Sequence, residues 1–396
     1  MSEWKKVRLG DCCLIGDGSH ASLKRQEKGI LYITAKNLTS NGLDISKVDY
    51  ISEELFNKHF KDNTNSITRP IRNDIIFSII GSLGACYLVK DEKFGISSSV
   101  AIFRSKGEII PLYLFYYLKS ETLKSEINSI KGGVAQGFMS LSKLGSLSIY
   151  YPSSIKRQHR IATILSRYDD LIENYQRQIK LLEEAAQRLY KEWFVDFRFP
   201  GHETTKFVNG IPEGWEKKKL GEFADIIMGQ SPKSEFYNNE NIGLPFHQGV
   251  GSYGSRFVED NIYSSTFNKI AESNSILFSV RAPVGRLNIT KNKIAIGRGL
   301  AAITHKNGCK SFLFYLLKDK FFKDNIIGNG SIFASISKDE LHNLEFLIPT
   351  ENLILKYNTL TEDIDKSIKN IDTQIRSLTE ARDRLLPKLM NGEIEV

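Results

Sequence analysis

Two long stretches of the sequence place apolar residues at alternating spacings of three and four. The first runs in register from Ile161 to Trp193, and the second runs from Tyr357 to Leu389. This spacing is the a/d seam of a coiled coil, sustained over about four heptads. We therefore predict two long helices. The polar residues Thr361 and Arg382 interrupt the second seam, and we expect them to set its register or to loosen its ends.

The two helices most simply pair with each other, since they belong to one chain. The first helix has to return the chain to a second globular segment, so we predict an antiparallel pair with a domain at each end. At 1.5 Å per residue, about 33 residues extend for roughly 50 Å. That length suits contact with successive major-groove segments of B-DNA, about 34 Å apart. A stalk in an adaptor that binds no DNA is the alternative.

The globular segments before the two helices resemble each other. β-branched and aromatic residues bounded by Gly and Pro predict matching strands at 74–78 and 275–279, and matching helices follow at 114–119 and 313–318. Ser337 and Glu340 have the spacing of a helix-capping box. The opening of the first segment recurs in the second: Trp4, Lys5, Lys6, Leu9 and Gly10 correspond to Trp215, Lys217, Lys218, Leu220 and Gly221.

The two segments differ most at 16–62 and 229–268. Loops that vary on a shared scaffold are a usual place for recognition. Drift of surface loops explains the same difference equally well. The pattern as a whole predicts an α+β protein with two similar mixed α/β domains, joined by two long helices that form an antiparallel coiled coil with pseudo-two-fold symmetry.

Composition narrows the class of protein. The 396 residues are 41% hydrophobic, and the net charge of +8 favours an anionic partner such as nucleic acid. The sequence has no apolar run of about 20 residues, and its first ten residues lack an apolar signal core. From this we expect no membrane partner. Because Cys12, Cys13, Cys86 and Cys309 have no CxxC spacing, we expect reduced thiols and a cytoplasmic location.

Motifs for catalysis are missing from the sequence. It contains no phosphate-binding loop, no nucleophile elbow and no HExxH, and its seven histidines lack metal-ligand spacing. Residues 249–254 match GxGxxG, but 255–260 do not begin a helix, so a turn or recognition loop is predicted there. The acid pairs Asp169-Asp170 and Glu183-Glu184 are predicted to be solvent-facing charges. The chain is therefore predicted to bind, without a catalytic residue, metal or cofactor of its own.

The order of several short segments resembles the specificity (S) subunit of type I restriction–modification systems, and the resemblance covers nearly the whole chain. The segments that carry it are Gly16-Asp17-Gly18-Ser19-His20, Ala35-Lys36-Asn37-Leu38, Gly229-Gln230-Ser231-Pro232-Lys233, Ser279-Val280-Arg281-Ala282-Pro283-Val284-Gly285, Gly297-Arg298-Gly299-Leu300-Ala301, Arg157-Gln158-His159-Arg160-Ile161-Ala162, Trp193-Phe194-Val195-Asp196-Phe197 and Lys388-Leu389-Met390-Asn391-Gly392-Glu393-Ile394.

The resemblance implies two target recognition domains, each of which recognises one half of a bipartite, asymmetric site in double-stranded DNA. The spacer helices would set the gap between the halves and bind two adenine-methylating modification subunits. S-adenosylmethionine, ATP and Mg would be held by the modification and restriction (translocase–nuclease) subunits. The predicted ranges are 1–155 for recognition domain 1, 156–196 for spacer helix 1, 197–214 for a linker, 215–350 for recognition domain 2, 351–390 for spacer helix 2 and 391–396 for a tail.

Base edges are recognised by side chains that donate and accept hydrogen bonds. The predicted DNA contacts are His20, Lys24, Lys36, Asn37, Ser82, Gln230, Lys233, Gln248, Arg281 and Arg298. Arg298 lies between two glycines and suits a phosphate as well as a base. His20 has an alternative role in its own turn, and Lys24 and Lys36 have one as solvated surface charges. The resemblance also implies partner contacts by Arg157, Gln158, Arg160, Trp193 and Phe194, although the last two could pack on their own second domain. Tyr32, Phe77, Tyr116 and Phe314 are predicted to be core residues.

Two other functions fit the same residues. One is an S-like subunit whose partner fuses methylase and nuclease in one chain. The other is a coiled-coil scaffold whose two domains bind proteins.

Overall fold

The computed structural model describes residues 4–39, 42–63, 66–81, 83–130, 138–322 and 335–396. The chain divides into two compact units. Unit 1 comprises Met1–Tyr175 and Gln374–Val396, and unit 2 comprises Gln176–Thr373. The boundaries fall inside the two long helices, so each unit combines a globular segment with part of both helices. This division differs from the predicted ranges, which separated domains from helices.

The helices are short in the globular segments and long after them. Both long helices have 40 residues, and they contain the two heptad-patterned stretches, which confirms the helices predicted from that pattern. The bounds are α1 (Leu9–Cys12), α2 (Glu53–His59), α3 (Pro111–Lys119), α4 (Glu121–Ile130), α5 (Leu141–Ser146), α6 (Ile155–Phe194), α7 (Leu220–Phe223), α8 (Lys310–Phe322), α9 (Lys338–His342) and α10 (Glu351–Met390).

Unit 1 contains a four-stranded sheet of order β10-β9-β12-β2, a three-stranded sheet of order β11-β3-β6 and three two-stranded pairs, β1-β13, β4-β5 and β7-β8. The strands are β1 (Trp4–Arg8), β2 (Cys13–Asp17), β3 (Ile30–Ile33), β4 (Leu38–Thr39), β5 (Gly42–Leu43), β6 (Asp49–Ile51), β7 (Asp62–Asn63), β8 (Ser66–Ile67), β9 (Ile75–Ser78), β10 (Cys86–Leu88), β11 (Phe94–Ile96), β12 (Val100–Ser105) and β13 (Ser148–Pro152).

Unit 2 contains a four-stranded sheet of order β17-β25-β22-β23, a five-stranded sheet of order β18-β20-β19-β24-β21 and two pairs, β14-β15 and β16-β26. The strands are β14 (Phe207–Val208), β15 (Ile211–Pro212), β16 (Glu216–Lys219), β17 (Ala224–Met228), β18 (Tyr237–Asn238), β19 (Leu244–His247), β20 (Tyr263–Ser264), β21 (Ile270–Ala271), β22 (Ile276–Ser279), β23 (Leu287–Ile289), β24 (Ile294–Ile296), β25 (Leu300–His305) and β26 (Glu345–Ile348).

The four-stranded sheets of the two units have the same topology. Strands β2, β12, β9 and β10 correspond to β17, β25, β22 and β23, and every neighbouring pair is antiparallel. All four residues of β9 and of β22 are buried, as expected for a short apolar run that lies inside a core. The strands predicted at 74–78 and 275–279 are confirmed, and so are the helices predicted at 114–119 and 313–318.

In unit 2 the segments of α6 and α10 run antiparallel. The Tyr357 hydroxyl of α10 donates to the Ala186 carbonyl oxygen of α6 at 3.0 Å. Trp193 and Phe194, at the end of α6, pack on the Tyr357 ring with centroid distances of 5.9 and 5.1 Å. The Thr361 hydroxyl, fully buried, donates to the Tyr357 carbonyl oxygen at 2.9 Å. This polar position of the seam therefore satisfies its own hydrogen bond.

In unit 1 the helix segments are also antiparallel, and an ion pair joins them. Arg382 Nη1 of α10 lies 2.5 Å from Asp169 Oδ1 of α6, and the Tyr116 hydroxyl of α3 donates to the other Asp169 oxygen at 2.8 Å. Leu389 and Met390 of α10 lie in the same buried cluster as Ile161 and Leu165 of α6. The polar Arg382 thus has a defined partner across the seam.

The acid pairs were predicted to be solvent-facing charges, which is wrong for one member of each pair. Asp169 accepts from Arg382 and Tyr116, and Glu183 pairs with a buried arginine, Arg256. A buried or half-buried cation needs a nearby carboxylate, because an unpaired charge in a low-dielectric interior is costly. These acids therefore belong to the packing of each unit.

Local signals agree with the structure at several turns. The Ser337 hydroxyl accepts from the Glu340 amide at 3.2 Å, while the Glu340 carboxylate accepts from the Ser337 amide at 2.7 Å, which confirms the capping box. Residues 250–252 form one turn of 3-10 helix and no helix follows at 255, which confirms the predicted loop. Among the described residues, none of the helices combines the length and apolarity of a membrane span. The four cysteines are buried free thiols.

Candidate nucleic-acid interface

In unit 2, main-chain hydrogen bonds bring three loops together where β17, β19 and β24 end. The Gly229 amide donates to Leu300 O at 2.9 Å, and the Gln230 amide donates to Ile296 O at 2.9 Å. A Cβ on Gly229 would lie 2.1 Å from the Gly297 oxygen, so only glycine permits this approach. We call the meeting point of residues 229–231, 248–249 and 297–299 junction 2.

Three of the residues predicted to contact DNA meet at junction 2. Gln230, Gln248 and Arg298 are all exposed there. The Ser231 hydroxyl connects Gln248 to Arg298, because it donates to Gln248 Oε1 at 2.7 Å and accepts from the Arg298 main-chain amide at 3.2 Å. Exposed side-chain amide and guanidinium groups on loops that meet are suited to base edges or phosphates.

Arg281 lies beside the same junction. The Val280 amide donates to Gly299 O at 2.9 Å, which fixes the residue before Arg281 against the loop that carries Arg298. Arg281 itself is exposed, and its main chain forms an isolated bridge with Ser335. Lys233 follows Ser231 by two residues, has a side chain 81% exposed and lies 3.7 Å from Glu235. The second set of predicted DNA contacts therefore lies on one exposed surface around junction 2 or on the segment that leaves it.

Unit 1 repeats the same main-chain hydrogen bonds. The Gly18 amide donates to Val100 O at 3.2 Å, and the Ser19 amide donates to Ile96 O at 3.0 Å. The Ile79 amide donates to Ser99 O at 3.1 Å, as Val280 does to Gly299 in unit 2. We call the meeting point of residues 18–20, 34–35 and 97–99 junction 1.

The shared hydrogen bonds align the two junctions residue by residue, and their side chains differ. Gly297 donates to His247 O as Ser97 donates to Ile33 O, so the following residues also correspond. In and beside the junctions, His20 of unit 1 corresponds to Ser231 of unit 2, and Thr34 corresponds to Gln248. Ile80 corresponds to Arg281, and Ser98 corresponds to Arg298. Junction 1 therefore lacks both arginines and presents an exposed isoleucine, 42% accessible, at the position of Arg281.

The predicted DNA contacts of unit 1 are mostly exposed, but one of them is structural. His20, with a side chain 74% exposed, has Nε2 at 2.8 Å from Asp17 Oδ2, and Lys24 and Lys36 are exposed. Ser82 lies outside the described residues. Asn37 is the exception, because it is 7% exposed.

The prediction of a DNA contact by Asn37 is corrected by its hydrogen bonds. Its side-chain oxygen accepts from the Thr34 amide and hydroxyl, both at 3.0 Å. Its side-chain nitrogen donates to Asp44 O at 3.1 Å and Lys47 O at 3.2 Å. Both amide hydrogens are used inside the loop, so Asn37 holds the loop and has no donor left for a base.

Three of the predicted partner contacts are also structural. Gln158 is fully buried and bonds Ile110 N, Glu108 O and Pro152 O at 2.9–3.0 Å. Trp193 and Phe194 are 7% and 8% exposed and lie in the core of unit 2, so the alternative that they pack on their own domain holds. Arg157 is mostly buried, with its guanidinium 5.5 Å from the Trp4 ring, while Arg160 is exposed. Of this set, only Arg160 presents an accessible side chain.

One residue of junction 2 was not singled out from the sequence. Ser231 joins Gln248 to the Arg298 loop, and it lies between two residues that were chosen, Gln230 and Lys233. Its position inside the Gly229-Gln230-Ser231-Pro232-Lys233 segment was the available signal. A hydroxyl both donates and accepts, so it can connect an acceptor on one loop to a donor on another; a cationic side chain only donates.

Comparison with known proteins places this geometry in a family. The sequence profile of the type I restriction modification DNA specificity domain matches residues 1–184 and again 212–375, which is most of the chain. The chain belongs to this family. DNA sequence recognition for a restriction–modification complex is the role of the family, whose members work with modification and restriction subunits.

Relatives of similar length agree with the assignment. The chain is 31% identical over 407 residues to a protein of Methanocaldococcus jannaschii described as the type I restriction enzyme MjaX specificity subunit, covering 100% of this chain and 94% of the relative. It is 24% identical to the HindI specificity subunit of Haemophilus influenzae, with full coverage of both chains. A crystal structure of the type I restriction–modification S subunit from M. genitalium has the same fold, with a TM-score of 0.58, 20% identity, and coverage of 98% of this chain and 96% of that one.

Proposed function

We propose that this chain is the sequence-recognition subunit of a type I restriction–modification complex. Each unit recognises one half of a bipartite, asymmetric DNA site, unit 1 through junction 1 and unit 2 through junction 2. The observation that carries the proposal is the pair of junctions, which share main-chain hydrogen bonds but differ in the side chains at corresponding positions. One main-chain arrangement with two sets of side chains suits two different half-sites.

Charge supports DNA as the partner of the junctions. The chain carries a net charge of +8, and junction 2 with its neighbour Arg281 presents two exposed arginines. Arginine is suited to guanine edges and to phosphates because its planar donors form paired hydrogen bonds. The arginines are therefore the candidate DNA contacts of unit 2. In unit 1 the exposed candidates for DNA contact are His20, Lys24 and Lys36.

Catalysis belongs to partner subunits in this proposal. Two modification subunits methylate adenine with S-adenosylmethionine, and restriction subunits translocate and cut DNA with ATP and Mg. Arg160, exposed near the start of α6, is the remaining candidate for a contact with a modification subunit. The complex acts on DNA in the cytoplasm.

A footprint of the assembled complex tests the proposal. The chain is purified with its modification subunits, and the DNA that it protects is recovered from a genomic library and sequenced. We expect one two-part sequence with a fixed gap. Protection of no common sequence would refute DNA recognition and favour the protein-binding scaffold. Protection that occurs only with a partner in which methylase and nuclease are one chain would identify the fused system.

A further inference from the structure

A buried arginine connects residues 248–256 of unit 2, which we call the recognition loop, to both long helices. The Arg256 side chain is 2% exposed, and its Nη1 lies 2.9 Å from Glu183 Oε1 of α6. Its Nη2 pairs with Asp365 of α10. The guanidinium also lies 4.5 Å from the ring centroid of Phe314 in α8. One side chain therefore joins three helices to the segment that follows β19.

The loop that ends at Arg256 begins at junction 2. Gln248 lies at one end of this loop and Arg256 at the other, eight residues further along. The His247 ring closes the loop internally, with Nδ1 at 2.7 Å from Ser252 Oγ and Nε2 at 3.0 Å from Asp260 Oδ1. The Gly254 amide donates to Phe257 O at 3.1 Å. These bonds stiffen the loop, so a shift at Arg256 is transmitted toward Gln248.

The main chain at Arg256 is fixed as well. The Ile289 amide of β23 donates to Arg256 O at 2.9 Å, and the Val258 amide donates to Ile289 O at 3.2 Å. The loop is thereby anchored to the sheet edge through its main chain and to the helices through the Arg256 side chain. A substitution of Arg256 removes the side-chain anchor and leaves the main-chain anchor in place.

A second contact attaches the domain to α10 independently of Arg256. Lys291 pairs with Asp372, which lies one heptad after Asp365 and therefore on the same face of the helix. Loss of the Arg256 contact should leave this attachment in place. The consequence should then be local to the loop and should not detach the domain from the helix.

Unit 1 uses the corresponding helix position differently. Asp169 of α6 matches Asp365 of α10 when the two 40-residue helices are aligned end to end. Asp169 is paired by Arg382, from the other helix, and by Tyr116 of α3. Both partners of Asp169 come from helices. Asp365 also accepts from a helix, from the Ser311 hydroxyl of α8 at 2.5 Å, but its ion-pair partner Arg256 belongs to the recognition loop. Arg256 of unit 2 therefore connects the two long helices to the recognition loop.

We infer that Arg256 is a positioning residue for DNA recognition by unit 2: through Glu183 and Asp365 it fixes the recognition loop to both helices and thereby holds Gln248 in place at junction 2. The inference rests on the proposed function. It predicts that loss of the link relaxes recognition at one half-site while the other half-site is unaffected.

The test distinguishes an effect on the position of the recognition loop from an effect on the stability of the protein. Arg256→Met alone leaves two carboxylates without their cation, so the variant should unfold at lower temperature. The triple variant Arg256→Met, Glu183→Gln, Asp365→Asn removes all three charges, so it leaves no uncompensated charge in the interior, which is the main cost of the single variant. We expect the triple variant to unfold close to the wild-type temperature, and yet to lose roughly tenfold in discrimination at one half-site.

Discrimination is measured with the complex of the chain and its modification subunits. Competition binding compares the intact DNA site with sites that carry one substituted base pair in either half. The half-site of unit 2 is the one weakened by Arg298→Ala. A wild-type complex that binds no site would refute the proposed function itself, and this control is read before any variant.

Two further variants complete the design. Arg382→Met with Asp169→Asn removes the corresponding ion pair of unit 1, which touches no recognition loop, and should leave the half-site of unit 2 unchanged. Arg256→Lys keeps the charge but reaches only one carboxylate, so it should show a smaller loss at the same half-site. The inference would be overturned if the triple variant and Arg256→Lys both discriminate between sites as well as the wild type does. It would also be overturned if these variants lose discrimination equally at both half-sites. If the triple variant fails to fold, Arg256→Lys decides alone.

Discussion

Junctions 1 and 2 share a main-chain arrangement and differ in their side chains. The amides of Gly18 and Ser19 form the same hydrogen bonds as those of Gly229 and Gln230. The side chains that these main chains present are a histidine, a threonine and serines in one unit, and glutamines and arginines in the other. Main-chain hydrogen bonds tolerate almost any side chain, so the loops can change their recognition chemistry without loss of the fold.

The ends of the two long helices show the opposite relation. Trp193 and Phe194 of α6 correspond to Leu389 and Met390 of α10, and each pair lies in the core of its unit. Here the positions are equivalent and only the shape of the apolar side chain changes. The core positions at these helix ends keep apolar side chains, whereas the junction positions, which are fixed by main-chain hydrogen bonds, vary.

The largest effect is expected in these cores. Phe194→Ala should lower the free energy of unfolding by about 3–5 kcal/mol, because it empties a packed aromatic site between Trp215, Phe312 and Tyr357. Met390→Ala should cost about 2–5 kcal/mol in unit 1. Urea unfolding measures both. Leu181→Ala on α6, where the side chain is 64% exposed, is the control, with a change below about 0.5 kcal/mol. A similarly small effect of Phe194→Ala would contradict the packing.

The next effect concerns recognition. Arg298→Ala should weaken binding by about 1–3 kcal/mol at one half-site only, because the arginine belongs to junction 2 and its counterpart Ser98 belongs to junction 1. Binding to DNA with substitutions in either half measures the change. Arg188→Ala removes an exposed arginine of α6, 82% accessible, and should leave discrimination unchanged. Equal weakening of both halves by Arg298→Ala would show that the two junctions do not act separately.

A smaller effect is expected at Asn37. Asn37→Ala should lower the free energy of unfolding by about 1–2 kcal/mol, because the Thr34 amide and the carbonyl groups of Asp44 and Lys47 lose their partner. Thermal unfolding measures this change, with the exposed Asn57→Ala of α2 as the control. An unchanged stability together with weaker DNA binding would restore Asn37 as a DNA contact.

The smallest effect is the pH dependence of stability that His305 contributes in unit 2. Burial lowers the pKa of His305, while Ser105 takes the matching strand position in unit 1. The unfolded chain then binds the proton more readily, so stability should fall as the pH drops below the ordinary histidine pKa of about 6.5. His305→Gln should flatten this slope in urea titrations between about pH 7 and 5. Ser105→Ala should not, and an unchanged slope in His305→Gln would exclude this histidine.

The parts of the fold that follow from the sequence are those with a periodic signal. The heptads predicted α6 and α10 because a seam has to recur every three or four residues. The apolar runs predicted β9 and β22 for a similar reason. Arg298, Gln248 and Gln230 were chosen because their side chains can form hydrogen bonds with base edges, and the structure brings them together at junction 2.

The remaining features depend on contacts that are distant in sequence. Arg256 pairs with Glu183 and Asp365, which are 73 and 109 residues away in the sequence. A local sequence pattern cannot predict such a triad. Asn37 looked like a DNA contact because its side chain is polar, but the loop uses all of its donors. Trp193 and Phe194 end a long helix, and only the tertiary fold shows that a domain core covers them.

We propose that two junctions with one main-chain arrangement recognise two different half-sites. Sequencing of the adenines methylated by the assembled complex, on genomic DNA and with Arg298→Ala beside the wild type, tests it most directly. We expect a two-part motif with unlike halves and a fixed gap, in which Arg298→Ala relaxes one half only. A continuous or palindromic motif, or relaxation of both halves together, would contradict it.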